Sequence, residues 1–181
     1  LKIKNYAFDN VDKLSRPEEA ETCHKSSTGF NQPLDKLPQN LHTFVMFSNA
    51  FDKNLDNLPQ SLKKLILLTC DNKYSMSNLP QELDSLLIDD AAIHFSLNNL
   101  PKDLRSLVIW GIIFNPINNL PNKLHSLEII SYNASPKITN LPETLLQLTV
   151  KTNGKNKINI PKSVEICKIR TYYTRTINIS S

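Results

Sequence analysis

The sequence predicts a solenoid of short, stacked parallel β-strands, and three observations predict it. A proline preceded by an apolar residue recurs at Pro38, Pro59, Pro80, Pro101, Pro121, Pro142 and Pro161, with spacings of 21, 21, 21, 20, 21 and 19 residues. A weaker copy, Pro17, lies 21 residues before Pro38. Apolar residues keep fixed places after each proline, two of them at positions that share one face of a strand. A unit this short cannot close over a core of its own, so neighbours must stack and bury one continuous apolar column.

The strand is the first element. Six residues after each proline stand Phe44, Leu65, Leu86, Leu107, Leu127, Leu148 and Cys167; eight after stand Met46, Leu67, Ile88, Ile109, Ile129, Val150 and Ile169. Two residues apart, each pair points to the same side of an extended chain. The approach to the strand carries Leu41, Leu62, Leu83, Leu104, Leu124, Leu145 and Val164. Four residues before the proline come Leu34, Leu55, Met76, Leu97, Ile117 and Ile138, and Lys157 breaks that series. The unit reads LPxxLxxLxI, and a period of 20–22 with this core is the leucine-rich-repeat signature. A right-handed solenoid follows, with its short parallel strands on the concave face. The convex side has little room for an α-helix, and proline blocks helix continuation and ladder bonding. Extended or 3₁₀ segments are expected there.

A second column, two residues before the proline, holds Asn57, Asn78, Asn99, Asn119, Asn140 and Asn159. Asn side chains bond readily to nearby backbone in turns. The column is expected to form a structural ladder inside the solenoid, with an Asn-lined binding groove as the other reading.

Phe30-Asn31-Gln32-Pro33-Leu34 with Leu37-Pro38 and Leu41 resembles the FNIP (IP22-type) repeat, and so does Phe114-Asn115-Pro116-Ile117 with Leu120-Pro121 and Leu124. That family, known from social amoebae and giant DNA viruses, is a divergent leucine-rich repeat. Its arrays often follow an F-box, which implies substrate recruitment to a ubiquitin ligase; no F-box-like segment is visible in this sequence. Asn eleven residues after the proline would instead mark the short repeats of bacterial effectors. That position holds Asn49, Cys70, Ala91, Ile112, Tyr132, Asn153 and Tyr172, which favours the FNIP resemblance.

Domain organisation follows the proline series. Residues 1–29 read as a degenerate first repeat or N-terminal cap, poorer in Leu and carrying Asp9, Asp12, Glu18, Glu19 and Glu21. Residues 30–170 carry the repeats, and 171–181 form a partial repeat or tail. The chain opens on Leu1 with no charged-then-apolar leader, so a fragment or a processed chain is expected.

Composition narrows the function. The 181 residues are 40% hydrophobic and 21% charged, within the folded range. With 3 Gly against 11 Pro, Gly-rich phosphate loops are nearly excluded. A net charge of +4 is no strong signature of nucleic acid, and no aromatic platform accompanies the basic residues. The longest apolar run, Leu107 to Phe114, is far shorter than the ~20 residues that cross a bilayer. Cys23, Cys70 and Cys167 lack CxxC spacing and cannot all pair, which points to a reducing, intracellular compartment: the cytoplasm, or a host's cytoplasm for a viral source.

Catalysis finds no support. His42 and His125 share a repeat position but lie four units apart, roughly 19 Å by strand spacing, while His24 and His94 stand elsewhere. No HExxH or GxSxG occurs, and Asp89-Asp90 reads as a solvated strand end. The chain is expected to be no enzyme, with no cofactor and no metal.

The working face is expected to be the concave one, whose side chains lie five, seven and nine residues after each proline. Val45, Phe47, Ile66, Leu68, Leu87, Val108 and Trp110, continuing to Ile130, form an apolar patch there, with Asp89 and Glu128 beside it. Exposed, such a patch marks a protein-binding site. A covering loop or terminal segment is an alternative, as is Trp110, directly before Gly111, turning into the core. The expected role is non-catalytic binding of a protein partner of unknown identity. A homodimer through the same face and an F-box-type recruiting arm are the alternatives.

Overall fold

A computed structural model describes residues 30–48, 50–69, 76–132, 136–153, 157–171 and 179–180. The expected cap at 1–29, Cys23, His24 and Cys70 lie outside the described residues. Each expected strand forms: β1 (Thr43–Ser48), β2 (Lys64–Thr69), β3 (Ser85–Ile93), β4 (Ser106–Ile113), β5 (Ser126–Ser131), β6 (Gln147–Thr152) and β8 (Ile166–Thr171). They build one seven-stranded sheet in the order β1-β2-β3-β4-β5-β6-β8, and every neighbouring pair is parallel. The short strands β7 (Ile158–Asn159) and β9 (Ile179–Ser180) pair in parallel in a second sheet.

The proline spacing sets the register. Phe44 faces Leu65, Leu65 faces Leu86, Leu86 faces Leu107, and so on to Leu148 opposite Cys167. Leu65, Leu67, Leu86, Ile88, Leu107, Ile109, Ile129, Leu148 and Val150 are fully buried. Burying one such side chain contributes about 1.5–3 kcal/mol, so the column dominates the stability of the fold.

Each proline begins a tight turn rather than a helix. The proline carbonyl accepts the N–H three residues on, as in Leu62 N to Pro59 O and Leu104 N to Pro101 O. Among the described residues the outer side is extended segments and isolated turns, with no α-helix and no 3₁₀ run. One carbonyl per turn then accepts two N–H groups of the next: His42 O from Lys63 and Lys64, Lys63 O from Asp84 and Ser85, Asp84 O from Arg105 and Ser106. This step delivers the chain into its strand.

The outer apolar column corrects one expectation. Lys157 does not interrupt it, because Ile158 takes the place and is buried. The shortest proline spacing, 19 residues, falls here, and the chain absorbs it by a one-residue shift. Ile117 bridges to Ile138, and Ile158 pairs with Ile179.

The longest strands carry an irregularity. Between Asp90 and Ala92 the register of β3 against β4 shifts, leaving Ala91 as a bulge. Opposite lies Gly111, at φ 146°, where a Cβ atom would sit 1.9 Å from the Asp90 carbonyl oxygen. Only glycine allows that approach.

Candidate interaction surface

Register aligns the outward side chains of the sheet into rows. Val45, Ile66, Leu87, Val108, Glu128, Thr149 and Lys168 form one; Phe47, Leu68, Asp89, Trp110, Ile130, Lys151 and Arg170 form the next. The structure thus brings all ten expected binding residues onto one face. It does not leave them equally exposed.

Ile66, Leu87, Val108 and Trp110 form a second buried apolar cluster, with Trp110 only 5% exposed. Val45, Leu68 and Ile130 pack against it and are half-buried. The expectation of one open patch is therefore corrected: its centre is a small core. The large Trp110 indole, with Asp89 and Ile130 beside it on the adjoining strands about 4.8 Å away, contributes to that shielding. Phe47 behaves differently and is 59% exposed.

Polar groups fix the cluster in place. The Trp110 indole Nε1–H donates to Glu128 Oε1 at 2.9 Å. Leaving that donor unpartnered in a buried site would cost about 1–3 kcal/mol. Asp89 and Asp90 are buried, not a solvated strand end. The reason is that β3 runs on past them to Ile93, and Asp90 Oδ1 accepts the Ala92 N–H across the bulge at 3.3 Å.

The Asn column is also corrected. Asn57, Asn78, Asn99, Asn119, Asn140 and Asn159 are all exposed, so they form no interior ladder. Asn119 and Asn140 sit at φ 54° and 55°, a conformation that Asn tolerates better than most residues. Asn99 and Asn119 line a shallow groove of about 630 Å³ with Asn98, Asn122 and Lys102. Cross-turn bonding is seen at other side chains, among them the Asn that follows the aromatic of each FNIP-like motif. Asn115 Nδ2 donates to His94 O and Phe95 O, Asn153 Nδ2 donates to Tyr132 O, and Asn31 Oδ1 accepts the Asp52 N–H. Ser61 and Thr144 each donate one hydroxyl shared between two carbonyls of the preceding turn. A hydroxyl two residues after the proline was the available signal, but it recurs in only three units, at Ser61, Thr144 and Ser163.

Charges beside the strand starts pair between neighbouring turns: Lys63 with Glu82, Arg105 with Asp84, Lys123 with Asp103. Lys123 holds the Asp103 carboxyl below its usual range by hydrogen bond and charge. A lysine also lowers Asp52, Lys53 bonding directly to its carboxylate. Such exposed pairs contribute little to stability.

Among the described residues no three His, Cys, Asp or Glu side chains group in a way that could hold a metal ion. His94 stacks on Phe114 with centroids 4.3 Å apart, and His125 Nδ1 lies 2.6 Å from Lys123 O. His42 is exposed. No helix among the described residues is long and apolar enough to cross a membrane. Cys167 is a free, exposed thiol whose partial burial pushes its pKa up.

No family model matches the chain, and no curated protein matches it. Among solved structures it is similar to the crystal structure of CroV588, described as a novel circular LRR protein. The similarity has a TM-score of 0.55 at 24% sequence identity and covers 82% of this chain. The chain spans 27% of the length of that protein. A leucine-rich-repeat neighbour and seven stacked parallel strands agree on the fold, a divergent leucine-rich-repeat type of solenoid.

Proposed function

We propose that the chain is a non-catalytic scaffold that binds a protein partner through the outward face of its sheet. Leucine-rich-repeat solenoids commonly serve as such scaffolds. The observation that carries the reading is Phe47, a large aromatic side chain exposed on a structured strand and bordered by half-buried Val45 and Leu68. Exposed aromatic groups beside an apolar base are hot-spot chemistry. Trp110 is then the foundation under the site rather than its contact point. Glu128, half-buried and bonded to the indole, and Ile130 form the far border. The finer family reading is that the units are FNIP repeats. Asn31 and Asn115, the Asn residues that follow the aromatic, both bond to an adjacent turn, which gives that motif a physical reason.

The test is a photo-crosslinking phenylalanine analogue at position 47 in the cells that make the protein. Phe114, 57% exposed but stacked on His94, is the control position. The reading expects a discrete heavier adduct from position 47 that is absent from position 114 and lost with Leu68→Lys. An adduct containing only this chain favours self-assembly through the same face. Equal labelling from both positions contradicts the reading.

A further inference from the structure

The groove at the proline turns lies well inside the described array. Its lining runs from Ser77 to Lys123, with the described turns at Pro59 and Pro142 on either side. Buried Leu100, Leu120 and Pro121 form its base, and the amides of Asn98, Asn99, Asn119 and Asn122 stand exposed around them. Among the described residues none of these four side chains makes a hydrogen bond, whereas Asn31 and Asn115 are held to an adjacent turn. Backbone conformation gives a reason for Asn119, at φ 54°, but the other three have no positive φ to accommodate. Lys102 is exposed and makes no ion pair among the described residues, whereas Lys123 is bound to Asp103. The lining holds no carboxylate.

We propose that this groove binds a linear acidic oligosaccharide, its sugar rings laid along the stacked turns. Asn99 and Asn119 hold the same repeat position on successive turns, as do Lys102 and Asn122. Polar groups therefore recur about every 4.8 Å, the spacing of the paired strands. An extended peptide repeats its like-facing groups every two residues, about 6.6 Å, and falls out of step. A linear sugar chain advances by one ring, close to the turn spacing, and each ring offers adjacent hydroxyls that both donate and accept. A side-chain amide matches such a pair, its C=O accepting and its NH2 donating. The base of Leu100, Leu120 and Pro121 suits the C–H face of a ring. Lys102, uncompensated by any carboxylate in the lining, selects an acid sugar over a neutral one. A nucleic acid would call for an aromatic platform, which the lining lacks. The groove shares no residue with the Phe47 surface and does not rest on the reading of that surface.

The test titrates the isotope-labelled 181-residue chain with a linear mannuronate hexasaccharide and with the matching mannose hexasaccharide, the first bearing a carboxylate where the second has a hydroxymethyl group. Both should shift the side-chain NH2 signals of Asn98, Asn99, Asn119 and Asn122 in NMR spectra. Asn57, in the same column but outside the groove, should stay in place. The mannuronate should bind about two- to fivefold more tightly, the worth of one exposed ion pair, and Lys102→Gln should abolish that preference while keeping the binding of the mannose chain. Asn119→Gly, which suits the backbone there and is checked by circular dichroism, should weaken both sugars about fivefold, the loss of one hydrogen bond. No shift of the groove amides, shifts of equal size at Asn57, or a preference that survives Lys102→Gln overturns the proposal.

Discussion

Strands β4 and β8 carry the same repeat positions and meet different fates. In β4 the inward pair, Leu107 and Ile109, is fully buried and the outward pair, Val108 and Trp110, is nearly so. In β8 the inward pair, Cys167 and Ile169, remains partly open, and the outward pair is Lys168 and Arg170. Position within the unit is therefore not what buries a residue. Among the described residues a strand lies on both sides of β4 and on one side of β8, and in a solenoid each unit is covered by its neighbours. In the first strand, Phe44 and Met46 are buried although, among the described residues, β1 pairs in the sheet with β2 alone.

The largest expected effect breaks the comparison at its centre. Leu107→Ala should cost about 2–5 kcal/mol, as large-to-small changes do in a closed core. Cys167→Ala in β8 should stay within about 0.5 kcal/mol, the usual range for a surface change. Urea unfolding of the two variants measures both, and similar losses would remove the distinction. On the outward face Trp110→Ala should cost about 3–5 kcal/mol and Phe47→Ser within about 0.5 kcal/mol. The ratio of those losses tells whether Trp110 is core or contact. Next comes Gly111→Ala, whose Cβ would meet the Asp90 carbonyl at 1.9 Å in a left-handed backbone. A loss of about 1–3 kcal/mol is expected in thermal unfolding, against none for an alanine placed at exposed Asn98.

Smaller effects sharpen the picture at the turns. Asn119→Gly should leave stability unchanged or raise it slightly, whereas Asn119→Ala should lose about 1 kcal/mol, because φ 54° suits glycine and asparagine. Smallest of all is the Lys123–Asp103 pair. Its folded carboxylate is held below the ordinary range, so its contribution is present above the unfolded pKa and fades as pH falls through the folded one. Lys123→Ala should move the Asp103 titration, followed by carboxyl NMR, up toward the usual aspartate value.

Much of the fold was legible because one residue type kept time. Proline spacing alone placed Leu65 beside Leu86 and Leu86 beside Leu107, and the register agrees pair by pair. Periodicity identifies equivalent positions; it says nothing of what lies over a face. Hence Ile66, Leu87, Val108 and Trp110 were placed on the right side but expected in water. The Asn column shows the converse. It repeats faithfully, yet repetition at a turn reflects backbone conformation at Asn119 and Asn140, not an interior ladder. Lys157 reads as a break in the outer column because a 19-residue unit shifts the slot to buried Ile158, and a fixed offset from the proline cannot foresee where a short turn takes up its slack.

Methyl-to-methyl NOEs among selectively labelled leucines test the stacked register most directly. Strands about 4.8 Å apart predict strong cross-peaks between Leu65 and Leu86 and between Leu86 and Leu107, with none between Leu65 and Leu107. Missing neighbour peaks, or a direct Leu65–Leu107 contact, would contradict the stacking on which every other statement about this molecule depends.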